Sequence, residues 1–499
     1  MDDLAPRLNF DNSKFALVTI KERWPVILAG VIDSLYHRRR QYVETLDISA
    51  DQIKALIAEL AHLRYEVTTD KCLLVLKANL GCCNDLELWN EQLRKFGVSP
   101  SDSLKFKDGP TWFSLPWLLT ECYLYRRIAE AVSLNGLGPF DPFAIRKQSG
   151  VLESQDRIYQ ILRFFGKIPK SLLEEGIERI FSAFLQVALW ANEFDLSLHP
   201  DQVSVNEMPT TVMEHLRRAH SRMVVNELDT FLRFWTKRLD EFRSTPISRL
   251  HTTAIVLDNA GVELITDLCL AEFLIDSGLT DRVFLYPKSM PWFVSDVTPE
   301  DIDWLVHTGL NSKFLKPPLS KICDQWSKKW RERIEDNTFN IRPCNFWTLP
   351  CSYDEMREVS PRLYSELSQE VDTIIFKGDL NYRKIVADRA WLPDKPEDKV
   401  KALRPLQFGR PLDMISCKCT VNSVRQPLEL GDAHDCRSFT DAESVTSLGP
   451  LILALRVCKA GVAVGLNPKK LTNLIAASED WWTIGHYALA QVISPLKVE

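Results

Sequence analysis

The chain has 499 residues, 45% of them apolar and 26% charged, with a formal net charge of -6. That is globular composition, with enough apolar side chains for two or three folding units, and it excludes a largely disordered chain. Lys and Arg number 61 against 67 Asp and Glu, so the basic balance that a nucleic-acid backbone demands is missing and no nucleic-acid partner is expected.

Met1 to Arg7 is acidic and lacks an apolar segment, so no secretory signal is predicted. No stretch of about 18 uncharged apolar residues occurs, so no membrane span is predicted either. The twelve cysteines are scattered, mostly in apolar runs such as Lys71-Cys72-Leu73-Leu74. That is the pattern of reduced core thiols, and it points to the cytoplasm, with the nucleus as the alternative.

From about residue 10 to 245 apolar positions recur at three and four residues, which predicts helices. Leu118, Leu119, Cys122, Tyr123, Tyr125, Ile128 and Ala129 form one such stripe. Thr210 to Phe242 reads as a single amphipathic helix, with Leu216, Val224, Leu228, Phe231, Leu232 and Trp235 on its apolar face. The breaker cluster Ser244-Thr245-Pro246-Ile247-Ser248 marks a domain boundary, giving a helical bundle over 1–245 and a second domain over 246–499.

In the second domain short β-branched runs alternate with helical stretches. This predicts an α/β/α sandwich with a mostly parallel sheet. The strands are Thr253–Leu257, Arg282–Tyr286, Thr373–Phe376 and Leu451–Val457, with a last one over Thr483–Leu489. Residues 394–449 lose the rhythm and read as a long insertion, either a lid or a solvated excursion. Within it Cys417-Lys418-Cys419 and His434-Asp435-Cys436 have the ligand types of a zinc clip, without the usual spacing.

Polar groups follow each buried strand. Asp258-Asn259 ends the first, Asp296 lies behind the second just ahead of a helix capped by Thr298, Pro299 and Asp301, and Lys377-Gly378-Asp379-Leu380-Asn381 ends the third. Arg456 and Lys459 end the fourth. Open α/β sheets bind ligands at strand carboxyl ends. If the strands are parallel neighbours, Asp258, Asn259 and Asp296 supply oxygen ligands suited to Mg²⁺ or Mn²⁺, beside the cations Lys377, Arg456 and Lys459. Such an arrangement suits hydrolysis of a small phosphorylated metabolite. Singly, Asp-Asn after a strand is more often a helix cap and Lys-Gly-Asp a turn. Glu121 sits in the helical stripe, where reaching the site competes with a surface pair to Arg126 or Arg127. Asn192 and Asp195 divide between the site and the domain junction. The tryptophans at 24, 112, 117, 190, 292 and 391 read as packing, and His215 and His220 as solvated.

Val256-Leu257-Asp258-Asn259-Ala260-Gly261-Val262-Glu263-Leu264, Lys288-Ser289-Met290-Pro291-Trp292-Phe293-Val294-Ser295-Asp296-Val297-Thr298 and Phe376 to Lys384 closely resemble the damage-control phosphatase family. The match is to its sugar-phosphate phosphatase, acidic-residue-methyltransferase-like branch. It extends through Arg23-Trp24-Pro25, Trp117 to Arg127 and Leu189 to Ser197, so it covers nearly the whole chain. The resemblance implies a helical domain on an α/β/α domain and hydrolysis of fructose 1-phosphate or fructose 6-phosphate with Mn²⁺, Co²⁺ or Ni²⁺. It makes Asp258, Asn259 and Asp296 the metal ligands, with Lys377 to Asn381 and Lys459 on the substrate. The branch's Arg-Thr-any-Lys signature stands here as Arg456-Val457-Cys458-Lys459, so one hydroxyl is missing.

Three rival functions remain at this level. A specialised member acting on another phosphorylated or pyrophosphorylated ligand is motivated by Val457 and the insertion. An S-adenosylmethionine-dependent carboxyl methyltransferase is disfavoured, because the nearest glycine-rich turn, Asn135 to Pro139, lies in a helical region. A binding protein with a decayed site is at odds with the retained Asp258, Asn259, Asp296 and Lys459.

Overall fold

The computed structural model describes residues 4–46, 48–80, 85–99, 109–168, 176–191, 216–244, 249–310, 315, 319–403 and 449–493. Its centre is a seven-stranded sheet in the order β1-β7-β6-β5-β2-β3-β4. The strands are β1 (Met223–Asn226), β2 (Thr252–Val256), β3 (Arg282–Tyr286), β4 (Phe339–Ile341), β5 (Thr373–Lys377), β6 (Leu451–Val457) and β7 (Ala488–Ile493). The five strands from β6 to β4 are parallel, whereas β7 runs antiparallel to β6 and parallel to β1. An α/β fold with a mostly parallel sheet is therefore what the chain forms.

Alternation along the strands sends side chains into two separate cores, as a sheet covered on both faces requires. Ala254, Val256, Phe284, Ile374 and Phe376 pack with the amino-terminal helices α1 (Lys14–Val18), α2 (Trp24–His37), α3 (Ala50–Thr68) and α4 (Trp117–Leu134). Ile255, Leu285, Ile375, Leu453 and Leu455 face the other way. They meet α6 (Gln155–Gly166), which follows α5 (Ala144–Glu153), and then α7 (Ile177–Leu189), α8 (Leu228–Ser244), α9 (Val262–Asp276) and α11 (Leu319–Glu335). Helix α9 is buried on nearly every side, so it is apolar almost all round. The short α10 (Pro299–Trp304) opens on a full capping box, Thr298 with Asp301, and α12 (Asp379–Ile385) follows β5 directly.

Several expectations need correction. The breaker cluster at 244–248 does not bound the sheet, because β1 lies ahead of it and pairs with β7, and α6 to α8 pack on the sheet. The single helix expected from Thr210 is interrupted by β1 and resumes at Leu228; four residues are too short to display alternation. The last strand is Ala488–Ile493 rather than Thr483–Leu489, and the three-residue edge strand β4 gave no signal at all. Of the insertion, Pro396–Leu403 is helical; the excursion beyond it, the cysteine clip, Asn192, Asp195 and His215 lie outside the described residues. His220 is exposed and the six tryptophans are buried. Among the described residues no helix is long and apolar enough to cross a membrane.

Candidate active site

Strand β2 has β3 on one side and β5 on the other, so the strand order reverses about the β2–β5 pair. Carboxyl ends that part at such a point leave a crevice for ligands. Leu257-Asp258-Asn259 leaves β2 there, and Gly378-Asp379 leaves β5. Gly378 has φ +90°, and a Cβ on it would overlap the carboxylate of Asp258, so only glycine allows this approach.

The loop after β3 closes over the same point. Asn259 and Asp296 form an isolated antiparallel bridge. The Ala260 N–H donates to Ser295 O at 2.7 Å and the Val297 N–H to Asp258 O at 2.8 Å. At the loop's bend Phe293 and Val294 have φ of 44° and 70°, a left-handed pair that a β-branched residue rarely enters and that marks stored strain beside the site. The Lys288 ammonium, fully buried, donates to Leu257 O at 2.8 Å and stands 3.4 Å from Asp296 Oδ2.

The donor set fits a hard cation. Asp296 Oδ2 is buried without a hydrogen bond. Burial, then the charges of Glu263 and Asp296, push the Asp258 carboxyl well above the usual carboxylate range, against the pull of Lys288 and Lys459. Burial raises Asp296 to about 6, opposed by Lys288 and Lys147. Carboxylates gathered out of water in this way favour a bound cation. Asn259 Nδ2 donates to Asp258 Oδ2 at 2.7 Å and to Glu263 Oε2 at 2.9 Å, while its Oδ1 accepts from Ser295 Oγ at 2.5 Å. The amide thus sits between two carboxylates, and a half-turn of its terminal torsion presents oxygen there instead. Among the described residues no three His, Cys, Asp or Glu side chains form a metal cluster by themselves. The set here is two carboxylates and an amide.

The other expected site residues divide. Asp258, Asn259, Asp296, Asp379, Leu380, Lys459 and Glu121 line one cleft of about 520 Å³ between the sheet edge and the helices α1, α2, α4 and α5. Asp379 accepts at Oδ1 from Arg456 Nε at 2.8 Å and from the Lys459 N–H at 2.9 Å. Burial alone would raise this carboxyl, but Arg456, Arg383 and that N–H hold it below the usual range.

Glu121 does not pair with Arg126 or Arg127, which bind Asp85 and Glu66. Its Oε2 accepts from Arg383 Nη1 at 2.6 Å, and Arg383 is also clamped by Asp388 and stacked over Trp117. This brings α4 into the site wall.

Three expected phosphate contacts are not placed to make them. Lys377 donates to Ala188 O, Glu263 Oε1 and Asp267 Oδ1 at 2.7 to 3.0 Å, so all its protons are committed beneath the site. Asn381 donates to Lys377 O and accepts from Tyr353 Oη. Arg456 is fully buried and holds Asp379 together with the carbonyls of Val462 and Ala460. These side chains fix the loops around the site.

A family model for the damage-control phosphatase ARMT1-like domain matches residues 19–474. The chain belongs to this family. Damage-control phosphatase ARMT1 of Mus musculus is 33% identical over 492 residues, covering 97% of this chain and 98% of the relative. The Homo sapiens protein of that name is 32% identical with the same coverage, and that of Danio rerio is 31% identical over 96% and 95% of the two chains.

In this damage-control phosphatase family member, Glu263, Lys288 and Ser295 belong to the site although sequence reasoning gave them no role. All three stand in the strings that carried the family resemblance. Glu263 stands in the first turn of α9, where its Oε2 accepts from Asn259 Nδ2 in the loop ahead of the helix. Val457 lines a second, smaller cavity of about 130 Å³ with Trp190, Leu455, Asp258, Asn259 and Lys459. The missing hydroxyl therefore leaves an apolar surface close to the reacting groups.

Proposed function

We propose that the protein is a divalent-metal-dependent phosphatase that hydrolyses phosphate monoesters of sugars, of the fructose 1-phosphate and fructose 6-phosphate kind, in the cytoplasm. The observation that carries this reading is the trio of buried Asp258, half-buried Asn259 and buried Asp296 at the point of strand reversal, with Lys459 beside it. Mn²⁺ is the proposed ion, with Co²⁺, Ni²⁺ and Mg²⁺ as alternatives, and Asp258, Asn259 and Asp296 would hold it. A bound divalent ion polarises a phosphoryl oxygen and makes bound water acidic.

The chain's own groups do the rest. Gly378 lets the Asp258 carboxylate lie flat against the β5–α12 turn, which fixes its direction. Lys288, buried against Leu257 O and Asp296, offsets part of the negative charge. Lys459 is exposed at the cleft and its ammonium has no ion pair among the described residues, so it is available to phosphate oxygens. Asp379, kept ionised by Arg456, holds the Lys459 backbone in place. The paired aromatics Tyr125 and Phe293, 4.6 Å apart, give the cleft a face for a sugar ring.

Phosphate release should be measured over a panel of sugar phosphates and other phosphometabolites, with and without Mn²⁺, after removal of metal by chelation. The reading expects release from hexose or pentose monophosphates only when metal is restored. Release that is unchanged by chelation, or absent from every sugar phosphate, would overturn it.

A further inference from the structure

The cleft holds more positive charge than a monoester needs. Its lining includes Arg23, Arg146, Lys147, Arg157, Arg383 and Lys459, of which Arg157 is engaged elsewhere. Lys147 is neutralised by Asp141 at 2.9 Å and Asp301 at 2.6 Å, and Arg383 by Glu121 and Asp388. Lys459 stands beside Asp258. Arg23 and Arg146 are left: each is exposed, and neither has an ion pair or hydrogen bond among the described residues, Arg23 lying only over the Phe15 ring at 5.8 Å. Two guanidinium groups without a carboxylate partner in one concavity raise the local potential, which is the setting in which an anion binds well.

A second observation comes from Thr19. It lines the same cleft, is 3% exposed, and its Oγ1 has no hydrogen-bond partner. A buried hydroxyl without a protein partner calls for one from outside the chain, which a water or a ligand oxygen supplies. Thr19 and Arg23 are the two ends of one π-helical turn, Thr19–Arg23, between α1 and α2; the Trp24 N–H closes it on Thr19 O. Single π turns inside α-helices recur at functional sites, because they swing side chains out of ordinary helical register.

We propose that Thr19, Arg23 and Arg146 form a second anion site, and that the preferred substrate is a phosphomonoester bearing a further anionic group, a second phosphate or a carboxylate. This rests on the phosphatase reading for the first phosphate. The cleft, about 520 Å³, has room for a sugar with both groups.

The test uses the full-length Mn²⁺-loaded protein, Arg23→Ala, Arg146→Ala, the double variant and Thr19→Val. The substrates are fructose 1-phosphate, fructose 1,6-bisphosphate and 6-phosphogluconate. With wild type, KM for at least one bis-anionic compound should lie about tenfold or more below that for the monophosphate, the range of one charge-assisted hydrogen bond. In the double variant that KM should rise by about ten- to a hundredfold, with kcat and the monophosphate KM moving by less than about threefold.

Whether the bisphosphate or the phosphogluconate is favoured tells which second anion the site takes. No preference in wild type, or equal losses on all three compounds, would overturn the proposal. If nothing is hydrolysed, the phosphatase reading fails by itself. Calorimetric titration of the same compounds then decides the anion site: tighter binding of a bis-anion, lost in the double variant, supports it, and equal binding refutes it. Both arginines are exposed, so unchanged melting curves are the expected control.

Discussion

Replacing Gly378 by Ala adds one methyl group where β5 hands the chain to α12. Two costs arise. The backbone, at φ 90° and ψ 174°, lies in a region that is essentially glycine's, so strain of about 1–3 kcal/mol is expected. The new Cβ also overlaps Asp258 Cγ and both its oxygens, and the Asp258 backbone is held by the Val297 N–H, so the carboxylate itself must swing aside. An off-rotamer side chain adds about 1 kcal/mol, and a displacement of about 1 Å in a reacting group costs about a hundredfold in rate. Gly261→Ala is the matched control: φ is +79°, yet no atom lies within 4 Å of the added Cβ. Urea denaturation followed by tryptophan fluorescence should show losses of about 2–4 kcal/mol for Gly378→Ala and about 1–3 for Gly261→Ala. Mn²⁺-dependent phosphate release should fall at least about a hundredfold in the first and by no more than a few-fold in the second. Near-normal turnover in Gly378→Ala would refute the idea that this contact aims Asp258.

Lys377→Met should strand the buried carboxylates of Glu263 and Asp267 and destabilise the protein by about 3–5 kcal/mol, read as a lowered urea midpoint. A higher KM with stability intact would instead mark Lys377 as a substrate ligand. Arg456→Leu, which leaves Asp379 without its guanidinium and frees two carbonyls, should cost about as much. A variant with a wild-type melting temperature would show that the network is dispensable. Burial lowers Lys384 to about 8, so between about 8 and its unfolded value near 10.4 the unfolded chain binds more protons. Stability attributable to this group therefore rises with pH through that window, and wild type should gain on Lys384→Met by roughly 3 kcal/mol between pH 7 and 10.5. A constant difference between the two would contradict the buried cation. Val457→Thr, restoring a hydroxyl beside the smaller cavity, should change the ratio of kcat/KM between sugar phosphates by less than about tenfold without abolishing turnover. Loss of all activity would show Val457 to be required rather than tolerated.

The central strands were legible because a parallel strand covered on both faces is a short, wholly buried run rich in β-branched and apolar residues, as in Thr252–Val256 and Thr373–Lys377. The edge strands β1 and β4 were not, since three or four residues carry no period. Asp258, Asn259 and Asp296 could be read from their places behind buried strands, because chain direction alone puts them at one sheet edge. The side to which a strand-end cation turns was harder. Ile375 faces the α9 layer, so two residues on Lys377 does too, and it meets Glu263 and Asp267 instead of a substrate. Leu455 likewise sends Arg456 to the opposite face, over Tyr382 and against Asp379. Parity was available in the sequence, but the carboxylates waiting on each layer come from helices and loops whose packing it does not display. Glu121 shows the same gap: its partner Arg383 lies 262 residues away.

Asp258, Asn259 and Asp296 are proposed to hold a divalent ion. Calorimetric titration of Mn²⁺ into metal-free wild type, Asp258→Asn and Asp296→Asn, with phosphate release measured on the same samples, tests this most directly. The expected result is one ion per wild-type chain, affinity lower by at least about a hundredfold in each variant and phosphate release lost with it; thermal stability should be kept in Asp258→Asn, which relieves repulsion between buried carboxylates, and lowered in Asp296→Asn, which leaves the buried Lys288 ammonium without its carboxylate. Equal Mn²⁺ affinity in all three proteins, or full turnover in either variant, would contradict it.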